Sequence, residues 1–169
     1  MDKLKNLKRI FNGVAFRIPD YQRGYSWGED ELNDLWDDLG SLLPGQDHYT
    51  GMLSLKVVNP SYIEKNIKDL WTDEQWTSRR GDNIYEIIDG QQRLTTLIIL
   101  INEIVNYCAN HNLTQISDTK IEDIKNMYLF EDKPSKEAKL IMGHSNYNRA
   151  WKNGEIYIIS TPSPTDIIY

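Results

Sequence analysis

The segment YEIIDGQQRLTTLIILI, residues 85–101, carries the sharpest chemical signal in the chain. An apolar strand passes through one glycine, Gly90, directly into a helix whose first turn is Gln91, Gln92 and Arg93. The first N–H groups of a helix have no internal partners and point outward, with the positive end of the macrodipole behind them. Such an end gathers anions, phosphate above all. Gly90 lets the backbone approach a phosphate with no side chain in the way, and Arg93 can add a bidentate, charge-assisted contact. Gln91 and Gln92 can donate amide hydrogens or orient a water, while Thr95 and Thr96 offer hydroxyls further along. The plainer alternative is that Asp89 caps the helix and Arg93 is a surface residue.

A second cluster lies upstream. IPDYQRGYSW, residues 18–27, packs Tyr21, Gln22, Arg23, Tyr25 and Trp27 into one loop. Tyrosine and tryptophan can stack on a base, and Arg23 can meet a phosphate. In the competing view the aromatics form a lid over the core and Arg23 pairs with Asp37 or Asp38.

The elements that position these clusters follow from periodicity. Val14–Ile18 reads as a short strand ended by Pro19. Ser26 with Glu29 has the letters of a capping box, which predicts a helix from near Trp27. Its apolar residues Leu32, Leu35, Trp36, Leu39, Leu42 and Leu43 recur at helical spacing, and Pro44–Gly45 stops it. Alternation predicts strands at Tyr49–Val58 and Ile84–Ile88. The polar stretch 59–83 between them reads as an insertion holding a short helix near Ile63–Leu70. Gln91 to about Asn110 is the strongest helix, apolar on most sides. Thr119 and Glu122 predict another capped helix through about Leu129. Tyr147–Lys152 reads as helical and Glu155–Ser160 as a last strand. Residues 1–112 are expected to form one domain and 113–169 a mostly helical extension. The ending at Ile167-Ile168-Tyr169, after Pro162 and Pro164, reads as part of a longer protein.

Composition narrows the function. The 169 residues are 40% hydrophobic and 26% charged, enough to bury a core. The aromatic content, with 10 Tyr and 5 Trp, favours a binding surface. A single cysteine, Cys108, excludes a disulfide framework and a thiolate-rich zinc site. The apolar run Leu94–Ile101 is too short to span a bilayer, and no secretion signal opens the chain, so the expected setting is cytoplasmic. Net charge is -6, which argues against a domain devoted to coating duplex DNA. That total is uneven. Residues 1–28 hold six Lys and Arg against two acids, whereas residues 29–50 hold seven acids and neither Lys nor Arg. A basic arm beside an acidic helix suits a phosphate next to a metal ion, and it also suits a solvated helix face.

Residues 14–58 and 84–105 resemble the domain at the amino end of GmrSD-type, modification-dependent restriction enzymes and related phage-defence proteins. The two signatures of that family, IPxYQRxYxW and DGQQRLTT, stand intact at 18–27 and 89–96. LWDDL at 35–39 and Tyr-Thr-Gly at 49–51 also match its pattern. More distantly, the order of strands, QR loop and strand–glycine–helix turn is similar to ParB and sulfiredoxin domains. The resemblance implies an α/β (α+β) fold of the ParB/sulfiredoxin-like kind, with a small mixed sheet.

It further implies that the turn Asp89, Gly90, Gln91, Gln92 and Arg93 binds and hydrolyses a nucleoside triphosphate, often GTP, with Thr95 and Thr96 beside it. Asp89, Gln91, Gln92 and Arg93 are the implied catalytic set. Tyr21, Gln22, Arg23, Tyr25 and Trp27 would face the same pocket. Asp38 is the candidate carboxylate for Mg²⁺, held directly or through water. In longer relatives such turnover governs a nuclease domain or subunit elsewhere, and the target is modified foreign DNA. Two departures matter. Sulfiredoxin chemistry needs a cysteine where Gln91 stands, so cysteine repair is excluded, and the 59–83 insertion is long, with Trp71, Trp76, Arg79 and Arg80 placed to touch DNA or solvent. The chain shows no nuclease pattern of its own: His48, His111 and His144 are scattered, and Asp123-Ile124-Lys125 falls in a predicted helix. The expected function is an NTP-hydrolysing regulatory domain of a restriction system. The alternative is a ParB-like DNA-binding module without turnover.

Overall fold

The computed structural model describes residues 4–19, 21–59, 61, 83–130, 139–142, 150–152 and 155–157. In chain order the elements are α1 (Leu7–Ile10), β1 (Val14–Ile18), α2 (Glu29–Gly40), β2 (Ser54–Val57), β3 (Asn83–Asp89) and α3 (Gln91–Asn110). A small hairpin of β4 (Gln115–Ile116) and β5 (Thr119–Lys120) follows, then α4 (Ile121–Ile124), which runs into a π-helical turn at Lys125–Leu129. The remaining strands are β6 (Leu140–Met142), β7 (Ala150–Lys152) and β8 (Glu155–Tyr157).

The main sheet has the order β2-β3-β1-β6 and is mixed, giving the expected α/β class. β3 and β6 both run parallel to β1, and β2 runs antiparallel to β3. Because side chains alternate across a strand, Phe16, Ile18 and Ile87 point to one face, where they pack with Leu94, Ile98, Val105 and Cys108 of α3. Ile121 and Leu129 close the same core, so it draws residues from both sides of position 112. Phe11 meets Phe16 edge to face at 5.1 Å and Tyr128 at 5.7 Å. On the opposite face Arg17 and Glu86 are register partners and form a buried ion pair at 2.8 Å, with Lys56 on the second carboxylate oxygen at 3.4 Å. The buried Lys139, at the entry to β6, donates to Phe11 O at 3.0 Å and Met127 O at 2.8 Å.

Several boundaries differ from expectation. α2 begins two residues later than predicted, with Gly28 as its N-cap and the Glu31 carboxylate accepting from Gly28 N–H at 2.8 Å. It ends at Gly40, before Leu42 and Leu43, and none of its residues is buried. β2 is shorter than Tyr49–Val58. The helix expected from Thr119 starts at Ile121, because Thr119 pairs in β5, and it relaxes to π geometry, in which Phe130 N–H reaches back to Lys125 O at 2.9 Å. Ala150–Lys152 is a strand paired with β8, not part of a helix. β6 was not foreseen. The predicted helix at 63–70, Trp71, Trp76, Arg79, Arg80 and His144 lie outside the described residues.

Candidate functional site

β1 and β3 are adjacent and parallel, so their carboxyl ends lie side by side at one edge of the sheet. The loop 19–28 leaves the first and the Gly90 turn leaves the second. Crevices outside the carboxyl ends of parallel strands are the usual ligand position in α/β sheets. The fold therefore juxtaposes the two signature segments.

Hydrogen bonds then join them. Gln91 Nε2 donates to Arg23 O at 2.7 Å, and Gln92 Nε2 donates to Gly24 O at 2.9 Å. Gln92 Oε1 accepts from Ser26 N–H at 2.8 Å. Gln22 Nε2 returns the contact by donating to Ile88 O at 2.9 Å. Thr96 Oγ1 donates to Gln92 O at 2.9 Å, which leaves the Tyr25 hydroxyl to donate to Thr96 Oγ1 at 2.8 Å. Gln91, Gln92, Thr95 and Thr96 are all buried. Much of the signature thus fastens loop to helix, since buried polar groups must find partners.

Gly90 is the N-cap of α3 at φ +91°, a left-handed conformation that side chains resist. Asp89 does not cap the helix; its carboxylate lies 3.6 Å from Arg93 Nη2 and is mostly exposed. Arg93 Nη2 also donates to Met52 O at 2.6 Å. Gly51, at φ +94°, makes room for that guanidinium: a Cβ there would fall on Arg93 Nη1. Gly51 and Met52 belong to the site, and the only signal for them was the Tyr-Thr-Gly match, whose physical reason was not legible. The Arg93 side chain remains 36% exposed, so part of it faces outward and can meet a ligand.

Arg23 differs from the other motif residues. Its guanidinium makes no hydrogen bond or ion pair with the described residues, and Asp37 and Asp38, its partners in the competing view, are not paired with it. Glu31 feels its charge, although the backbone N–H of Gly28 is the larger reason that the Glu31 carboxyl sits below its ordinary range. Tyr21 is 71% exposed, and Trp27 is half-buried.

Asp38 lies in the third turn of α2, is largely exposed and has His48 Nδ1 4.0 Å away. Among the described residues no group of three His, Cys, Asp or Glu could hold a metal ion. The D-x-K letters sit on helical turns: Asp123 in α4 and Lys125 in the π turn. His111 stacks on Tyr107 at 4.0 Å, and Cys108 is buried and unpaired by disulfide. No helix among the described residues is long and apolar enough to cross a membrane.

The family model described as the GmrSD restriction endonuclease N-terminal domain matches residues 4–163. The chain belongs to that family, and so to the restriction and phage-defence class of proteins. Comparison with curated proteins gives no match.

Proposed function

We propose that the protein binds a nucleoside triphosphate, GTP foremost, at the start of α3 and hydrolyses it, the turnover regulating a nuclease located elsewhere in its restriction system. The observation that carries this reading is the meeting of the Arg93 guanidinium, the opening turn of α3 and the backbone of the Arg23 loop at the carboxyl ends of β1 and β3. The Arg93 guanidinium beside the helix-start amides suits an anion better than a neutral ligand, and the Arg23 side chain, unpartnered among the described residues, belongs to the loop fastened to that turn. Gly90 and the amides that follow would cradle the phosphates. Arg93 and Arg23 would neutralise charge gathering on the phosphate oxygens as the terminal phosphoryl group transfers. Tyr21 offers an open ring for the base. Mg²⁺, when bound, would spread positive charge over the phosphate oxygens, and Asp38 is the residue proposed to hold it, directly or through water.

Arg23→Ala is the clean test, because no described contact depends on that side chain. Loss of a charge-assisted hydrogen bond costs about 1.5–3 kcal/mol, so GTP affinity should fall at least about tenfold with an unchanged melting temperature. Arg93→Ala should abolish detectable binding, with a lower melting temperature from the lost contact to Met52 O. Calorimetric titration with Mg²⁺-GTP reads both. Unchanged affinity in both variants would refute the assignment.

A further inference from the structure

We infer that Gln91 holds the attacking water during triphosphate hydrolysis and that Gln92 is a clasp with no part in the chemistry; this rests on the nucleotide reading above. The two glutamines are neighbours with the same side chain, yet their hydrogen bonding separates them. Both ends of the Gln92 amide are used, Nε2 on Gly24 O and Oε1 on Ser26 N–H. Gln91 uses only Nε2, on Arg23 O at 2.7 Å. Its Oε1 is buried without a hydrogen-bond partner, the one such side-chain atom among the described residues, in a residue only 7% exposed.

The amide cannot turn over to escape this, because Oε1 would then face Arg23 O, acceptor against acceptor. A buried unpaired acceptor is costly, and native proteins rarely leave one. Any partner of Gln91 Oε1 must therefore carry a hydrogen. Ionised phosphate oxygens are acceptors, so the phosphates themselves cannot satisfy it. The donors that come with a bound triphosphate are water, the ribose hydroxyls and the N–H groups of the base. Gln91 is the first residue of α3, next to the amides proposed to hold the phosphates, and its Nε2 is held by Arg23 O. Water is the donor whose placement at that point has a chemical consequence. Its oxygen bonds to the γ-phosphorus as the bridging P–O bond to the β-phosphate breaks, and the electron pair leaves with the diphosphate. The water proton passes to an oxygen of the released phosphate. Gln91 accepts a hydrogen bond from the water throughout and neither gains nor loses a proton.

Three variants of the full chain decide the matter: Gln91→Met, Gln91→Glu and Gln92→Met. Each is measured for GTP affinity, single-turnover phosphate release and melting temperature. Gln91→Met removes the acceptor together with the Nε2 bond to Arg23 O, so it should slow phosphate release about a hundredfold while lowering GTP affinity by far less. Gln91→Glu reproduces the amide only when protonated, its O–H donating to Arg23 O and its C=O accepting from the water, so release should persist below the pH at which its carboxyl ionises and fade above it. Gln92→Met should lower melting temperature and affinity together. Release within threefold of the parent in Gln91→Met would overturn the inference and leave the nucleotide reading standing. So would a loss of GTP affinity in Gln91→Met that disappears with 2′,3′-dideoxy-GTP, since Gln91 would then hold the sugar. If Gln91→Met does not fold, absence of release from folded Gln91→Glu at every pH overturns it as well. A parent chain that binds GTP without releasing phosphate removes the inference alone, whereas one that binds no triphosphate removes both.

Discussion

Gly90 and Gly51 show how single residues shape the mouth of α3. Both are in the left-handed region, at φ +91° and +94°, where a side chain costs about 1–2 kcal/mol. At Gly90 an added Cβ would also lie 3.0 Å from Met52 O and from Leu53 Cδ1, close enough to push the strand–loop junction apart. Gly90→Ala should therefore lose at least about 1–2 kcal/mol in urea denaturation. Gly51→Ala should instead displace the Arg93 guanidinium, which occupies the space the Cβ needs. Its expected mark is a fall in GTP affinity approaching that of Arg93→Ala, measured by calorimetry, and wild-type affinity in Gly51→Ala would show that this guanidinium position is immaterial. The identities of the site residues were legible in the chain, but their division of labour was not. Nothing in the letters QQ separates a satisfied amide from one with a free acceptor, because that difference is set by Arg23 O, Gly24 O and Ser26 N–H, more than sixty residues away.

Among the elements, α3 was the most legible because its apolar period and its glycine start agree, and its bounds came out as read. The start of α2 was misplaced for a tertiary reason. Ser26 has the type of a cap, but its backbone N–H is held by Gln92 Oε1, which keeps the loop extended as far as Gly28. Glu31 then takes the role expected of Glu29. Hydrogen bonds from Gly28 N–H and from its own backbone, with smaller help from Arg23, hold the Glu31 carboxyl below the usual range. A depressed carboxyl contributes stability that is full above its unfolded pKa and lost as pH falls through its folded value. The first turn of α2 should thus loosen on acidification only below the ordinary glutamate range. Backbone chemical shifts of residues 28–32 followed against pH should show this, and Glu31→Gln should abolish it; an identical profile in that variant would contradict the capping role. The short strand β6 was invisible to periodicity, since its place depends on pairing with β1 and on the buried Lys139.

At the scale of the whole molecule, one core joins the sheet, α3 and the α4 turn, and the signature segments ride on its carboxyl edge. The mixed α/β class was readable from the run of strands and helices; the sheet order was not, because pairing partners separated by long stretches leave no local trace. The net charge of -6 and the acids of residues 29–50 disfavour broad contact with duplex DNA, while the Arg93 guanidinium at the mouth of α3 favours a compact anion. Competing titrations of the intact chain with Mg²⁺-GTP and with duplex DNA, repeated at two salt concentrations, weigh these forces directly. Saturable, one-to-one binding of Mg²⁺-GTP that survives the higher salt is the predicted result. No binding of any nucleoside triphosphate, together with DNA binding that collapses steeply as salt rises, would contradict it.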